Sequence, residues 1–338
     1  MIKLLKTQYG LQANDEVRIG KYQAYRNQEQ IYILVPIGGM EEDELNELNL
    51  LTDHLVKTGE KHCSTFLKTK EGKQFSEWEN GRYCVLMNKQ VQNQVQNRRL
   101  QRSGRKLAKF HFRGRTVSFP VKKVSRIGQW KQLWETRLDQ MEKVWNEMLF
   151  QQPEHEFDKM FLESFPYYRG IAENAIQYLV DTEIDDNPGA IDSGTICHIR
   201  FTAKTWDHTY YIKNPFDWVF DHSSRDLAEW AREKYFRNIK TYEPELRQFM
   251  RDYQSIVPLT SFSWRLFFAR LLCPLHYFYC IESYYGASSE QEKKVLEERL
   301  QKFLQQSNEH ERFLGSFYDF AEVPVQKFRI PIIGWLKK

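Results

Sequence analysis

The sequence predicts an α+β protein, with a small N-terminal antiparallel sheet plus one helix and a larger, mainly helical C-terminal part. Three observations carry this expectation. Before residue 89, β-branched and aromatic runs alternate with turn residues. One amphipathic period, Glu41 to Lys57, interrupts them. Beyond a Gln/Asn-rich stretch near residue 90, apolar residues recur mostly at three- and four-residue steps. At 338 residues the chain is long enough for two lobes. The composition shift places them at 1–88 and 98–338, joined by a linker over 89–97.

Taken in order, Asp15 to Tyr25 carries Val17, Ile19, Tyr22 and Tyr25, and Gln30 to Pro36 is almost wholly apolar. Asn27-Gln28-Glu29 between them reads as the turn of a strand pair. In the following helix Leu45, Leu48, Leu51, Leu55 and Val56 mark one face. Glu41 to Glu44 crowd the end where the helix dipole favours anions, and Gly59 ends it. Phe66 to Lys73 and Asn80 to Met87 read as further strands around glycine turns. Helical spacing then recurs over 106–112, 130–150, 156–165, 171–180, 225–235, 243–253 and 295–304. The aromatic run Cys273 to Tyr285 reads as core, with Pro274 setting a helix start. Between the fourth and fifth helices lies Thr195 to His222, whose strand-like arms are Ile196–Phe201 and His208–Lys213.

Apolar residues make up 41% of the chain and aromatic residues 15%, which excludes a disordered segment. The longest apolar run, Trp264 to Leu275, is broken by Arg265, Arg270 and Pro274 and is too short to span a bilayer. The first nine residues lack the pattern of a signal peptide, so synthesis in the cytoplasm is expected. Five scattered cysteines without a CxxC pair predict reduced thiols. Net charge is only +4, yet no Asp or Glu occurs from Asn80 to Trp134. The surface from Arg98 to Arg126, which includes Arg99, Arg102, Arg105, Lys106, Lys109, Arg113, Arg115, Lys122 and Lys123, is either a solvated face or a docking surface for an acidic partner. No nucleic-acid-binding signature accompanies it.

Several short segments fall in a telling order: Leu107-Ala-Lys-Phe-His111, Ile196-Cys-His-Ile-Arg200, Phe216-Asp-Trp218 and Arg225-Asp-Leu-Ala228. Asp53 to Gly59, Leu67 to Gly72 and Pro274 to Phe278 with Tyr284-Tyr285 accompany them. In these the chain resembles the CotS/YutH family of spore coat proteins, and through it the aminoglycoside and choline kinase branch of the protein-kinase-like superfamily. The resemblance extends over most of the chain and implies a bilobal protein-kinase-like fold. It also implies a spore coat location and other spore coat proteins as partners.

Phosphoryl transfer needs a lysine on the nucleotide phosphates, acids and an asparagine at magnesium, and a carboxylate to orient the attacking hydroxyl. Active relatives carry a His-Gly-Asp loop with Asn five residues after the Asp. The matching positions here read His198-Ile199-Arg200 and Thr205. An arginine stays charged and cannot accept the hydroxyl proton, and a threonine hydroxyl is a weaker magnesium ligand. The strand expected to carry the lysine has Val35 or Pro36 there, and a lone Gly20 replaces the glycine-rich loop. Asp217 stands at the metal-binding aspartate, where it either binds metal or pairs with Arg200, and Asp226 is implied to tie the catalytic loop together. Glu44 or Glu47 would have partnered the lysine but reads as solvated. The expected protein is therefore a non-catalytic pseudokinase with no cofactor-binding and no metal-binding residues. The alternative is a residual small-molecule kinase or nucleotide-binding switch. A metal cluster of Cys197, His198, Asp207, His208, Asp217, Asp221 and His222 fits no zinc spacing. A nucleophilic hydrolase lacks its Gly-x-Ser-x-Gly elbow.

Overall fold

The computed structural model describes residues 1–28, 30–89, 103–150, 153, 155–202, 205–206 and 212–336. The chain forms two compact units. One comprises Met1–Arg126, Ser193–Asp226 and Asp252–Val257; the other comprises Ile127–Asp192, Leu227–Arg251 and Pro258–Lys338. Most of the segment expected to link two lobes, 90–97, lies outside the described residues, as do Arg98, Arg99 and Arg102 of the basic run and Asp207 and His208 of the metal reading.

The first unit opens with a short helix, α1 (Ile2–Leu4), continued by a wider helical turn over Leu5–Tyr9. Its sheet holds β1 (Asp15–Ile19), β2 (Tyr22–Asn27), β3 (Gln30–Pro36), β4 (Thr65–Leu67), β5 (Ser76–Trp78) and β6 (Gly81–Asn88). The order is β1-β2-β3-β6-β4, with β5 also on β6, and every pairing is antiparallel. The stretch read as one strand, Asp15 to Tyr25, is thus a hairpin. Ile19 pairs with Tyr22 across Gly20-Lys21, and Gly20 takes the positive φ of 57° that such a two-residue loop requires.

Strand β3 has both faces covered, which is why it reads as an unbroken apolar run. Ile31, Ile33 and Val35 pack with Leu45, Leu48, Leu51 and Leu55 of helix α2 (Glu42–Lys57). Tyr32 and Leu34 alternate to the other face and meet Leu4 and Leu5 of the N-terminal helical stretch. Each of these fully buried leucines contributes about 1.5–3 kcal/mol. Helix α3 (Ser103–Gly114) packs against β7 (Thr195–His198), which pairs with β8 (Trp218–Asp221). In that register His198 faces Trp218; of the strand expected at 208–213, residues 208–211 lie outside the described residues.

The second unit is helical: α4 (Trp130–Leu149), α5 (Glu156–Asp185), most of α6 (Ser224–Arg237) and α7 (Tyr242–Gln254), then α8 (Ser261–Leu272), α9 (Leu275–Gly286), α10 (Glu290–Gln305), α11 (Ser307–Gly315), α12 (Phe317–Phe320) and α13 (Val325–Phe328). Its core is aromatic, with Phe157 stacked on Tyr284 at 3.6 Å, Tyr168 on Tyr277 at 3.8 Å and Trp230 on Phe249 at 3.6 Å. The two helices expected at 156–165 and 171–180 are one continuous α5 that runs through Pro166. Proline lacks the N–H that would serve the carbonyl of Leu162. The indole of Trp145 on α4 donates to that carbonyl at 3.0 Å, which leaves no orphaned acceptor to break the helix. At the C-terminal end of α8 the buried guanidinium of Arg232 donates to the carbonyls of Arg270, Leu271 and Cys273. Arg270 in turn binds Glu229 at 2.9 Å.

All five cysteines are buried free thiols. No helix among the described residues is long and apolar enough to cross a membrane.

Gly114 closes α3 where it meets β7. A Cβ there would stand 2.6 Å from the Ile196 backbone nitrogen and 2.6 Å from the Thr195 hydroxyl oxygen. Gly114→Ala should therefore lower stability by about 1–3 kcal/mol in urea titration, the range for overpacking; an unchanged midpoint would show that β7 yields freely.

Candidate functional site

Strand β7 delivers His198, and the first turn of α6 delivers Asp226 beneath it. Both are fully buried. The Asp226 carboxylate accepts the His198 backbone N–H at 2.9 Å and the His198 imidazole Nδ1 at 2.7 Å. It also meets Nε2 of His111 on α3 at 3.2 Å, while His111 Nδ1 lies 2.8 Å from the Tyr253 hydroxyl. If Nε2 holds the His111 proton, Nδ1 accepts from Tyr253, and the neutral ring satisfies both partners. The Thr195 hydroxyl donates to the His111 carbonyl at 2.7 Å, tying the strand to α3.

Burial opposes ionisation of Asp226, but the facing His198 and the hydrogen bonds from both imidazoles outweigh it and hold the carboxyl below the usual carboxylate range. Burial lowers the His111 pKa despite Asp226, which keeps the ring neutral. Burial, with the charge of Asp226, raises Cys197 well above a free thiol.

Cys197, His111 and Asp226 bring ligand atoms within 4.8 Å of one another. This grouping differs from the cluster read along 197–222. Cys197 Sγ instead donates to the carbonyls of Asp221 at 3.6 Å and His222 at 3.4 Å, and Asp226 is already engaged by both imidazoles. The three groups are therefore hydrogen-bonded to one another and to backbone.

Beyond His198 the chain turns. Ile199 N–H donates to the Asp217 carbonyl at 2.8 Å, which sets the start of the loop against the Asp217 segment. Arg225 holds the same loop from α6, donating to the carbonyls of His198 at 3.0 Å and Ile199 at 3.2 Å and pairing with Asp221 at 2.8 Å. Arg200 follows immediately and is exposed. The Thr205 hydroxyl accepts the Thr202 N–H at 2.8 Å and donates to the Arg200 carbonyl at 3.3 Å, so it closes the loop on itself.

Asp217 ends a short turn, Pro215–Asp217, capped by the Asn214 side chain on the Phe216 N–H. Its Oδ1 accepts the Tyr22 hydroxyl at 2.9 Å and lies 3.4 Å from the Lys21 ammonium. Both residues come from the β1–β2 hairpin. Burial and the neighbouring Asp217 charge raise the Tyr22 pKa, which keeps the phenol a donor.

Four arrangements were not expected from the sequence. Lys21 and Tyr22 reach Asp217, although their place beside Gly20 marks them as loop-tip residues. His111 joins Asp226, and the Leu-Ala-Lys-Phe-His segment that carries it was the available signal. Glu47 is not simply solvated: its carboxylate accepts the backbone N–H groups of Lys122, Lys123 and Val124 at 2.9, 2.8 and 3.0 Å. Lys213 is buried, pairs with Glu60 and lies over the rings of Phe110 and Trp206. On β3, Val35 is buried and Pro36 exposed.

The family model described as "Spore coat putative kinase YutH" matches residues 2–317. The chain is 43% identical over 317 residues to the endospore coat-associated protein YutH of Bacillus subtilis, covering 94% of this chain and 92% of that protein. Its fold is similar to that of an aminoglycoside phosphotransferase from Alicyclobacillus acidocaldarius, with a TM-score of 0.67 at 16% identity over 94% of this chain and 95% of the other. A spectinomycin phosphotransferase solved with ADP and spectinomycin gives a TM-score of 0.60 at 14% identity, covering 95% and 96%. These likenesses establish the kinase-like fold expected from the sequence.

The depressed Asp226 and His111 pKa values both stabilise the folded state above their unfolded values and lose that contribution as pH falls. Stability in urea should be flat from about pH 6.5 to about pH 8, fall above that as unfolded thiols lose the proton that buried Cys197 keeps, and fall below about pH 6.5 as unfolded histidine takes up protons. It should fall further below about pH 4 as Asp226 is protonated. Asp226→Asn should cost about 3 kcal/mol at neutral pH and flatten the limb below pH 4; an unaltered acid limb would count against the assignment.

Proposed function

Because this chain belongs to the YutH family of spore coat proteins, we propose that it is a non-catalytic pseudokinase that assembles into the endospore coat as a structural or binding protein. It is made in the mother-cell cytoplasm, and its partners are other spore coat proteins. The observation that carries this reading is the state of Asp217. The one acid retained at the metal position has an oxygen held by the Tyr22 hydroxyl and the Lys21 ammonium. A magnesium ion would have to displace both from that oxygen.

The neighbouring positions point the same way. Arg200 brings positive charge where the reaction requires a proton acceptor. Thr205 is turned onto its own loop. Glu47, on the helix whose acid would pair with a phosphate-binding lysine, binds backbone amides instead. What persists is the hydrogen-bonded support around Asp226, which keeps the loop in shape without any need for turnover.

A second reading, a residual small-molecule kinase or nucleotide-binding switch, draws on the partial exposure of Asp217 and on the active kinases among the structural neighbours. Lys21 would then have to leave Asp217 and take the phosphates.

Calorimetry with ATP and magnesium separates the two. The expected result is no heat and no thermal shift, in wild type and in Asp217→Ala alike. Micromolar binding that disappears in Asp217→Ala would sink the non-catalytic reading. Arg200→Asp combined with Thr205→Asn should likewise yield no phosphate transfer in a coupled assay, and measurable turnover would mean that another cation has taken the role of the absent lysine.

A further inference from the structure

Helix α3 carries Arg105, Lys109 and Phe112 at i, i+4 and i+7, which places them along one stripe. Phe112 is 58% exposed and Lys109 is exposed, while Arg105 is half-buried. Neither Arg105 nor Lys109 makes an ion pair with any described residue. Elsewhere in the same basic run Arg113 pairs with Glu60 and Lys123 with Glu41. The stripe cannot draw on a local acid, since residues 80–134 contain none.

The helix's own stability does not explain this charge. Its first turn holds no acid, and a cation near a helix N-terminus opposes the macrodipole. Covering the exposed part of the Phe112 ring would add apolar burial that the folded chain leaves unused. Charge and apolar surface on one stripe therefore call for an external group with carboxylates beside an apolar side chain.

We propose that this α3 stripe docks an acidic amphipathic segment of another coat protein, with carboxylates on Arg105 and Lys109 and an apolar side chain over Phe112. This rests on the reading of the chain as a coat-assembly protein. A duplex nucleic acid would offer phosphates to Arg105 and Lys109 but, with its bases stacked inside, no apolar group to the ring.

The probe is a short fluorescein-labelled synthetic helix of glutamates flanking a leucine stripe, titrated against the full chain by anisotropy. Wild type should bind it, more weakly as salt rises. Arg105→Glu with Lys109→Glu should weaken binding at least about tenfold, and Phe112→Ser several-fold, with circular dichroism unchanged. Lys109→Gln, a milder change, should fall between. No binding, equal binding by the charge-reversed variant, equal binding of a leucine-free polyglutamate, or tighter binding of duplex DNA or phosphatidylglycerol vesicles would each overturn the proposal. Nucleotide is absent from this measurement, so its failure would leave the non-catalytic reading to be judged by calorimetry alone.

Discussion

A single buried carboxylate organises the site. Asp226 has no exposure to water, yet it is held ionised, because two imidazoles and a backbone N–H replace the solvent it has lost. Two of those donors come from His198 on β7 and one from His111 on α3, and Tyr253 joins the network from α7 through His111. Losing any one donor would leave a charge uncompensated in the interior, so the segments are bound to a common geometry. The position of the loop that carries Arg200 follows from this, as does its junction with the Asp217 turn through Ile199.

That support and the reactive positions have separate physical demands, which explains how one can persist while the other changes. The support needs complementary hydrogen bonds in a dry interior. The reactive positions need acids facing a metal and a cation facing phosphates. Here the first requirement is met around Asp226, while Asp217 has one oxygen held by Tyr22 and Lys21 of the β1–β2 hairpin. The fold of a phosphotransferase is thus retained over nearly the whole chain, as the similarity to solved enzymes of that class attests.

Much of the architecture could be read directly from residues. β-branched and aromatic runs between turn residues, against apolar steps of three and four, separate the sheet from the helices, and the leucines of α2 announce its buried face. The kinase-like fold and the family followed from short segments in a fixed order. The failures have physical causes. Asp15 to Tyr25 looked like one strand because the two-residue turn at Gly20-Lys21 scarcely interrupts its pattern. The helices expected at 156–165 and 171–180 are one, and nothing local reveals that an indole from another helix serves the carbonyl that Pro166 leaves free. The first nine residues were weighed only as a targeting signal, although Leu4 and Leu5 cover the outer face of the sheet. The Lys21–Tyr22–Asp217 contact spans nearly two hundred positions, which no periodicity can convey.

The grip of Glu47 on three successive backbone amides has a bearing on motion. In enzymes of this fold the corresponding helix can swing, carrying its acid toward or away from the lysine and so switching the enzyme. With that carboxylate bound to the main chain of residues 122–124, any such swing of α2 would first have to break three hydrogen bonds.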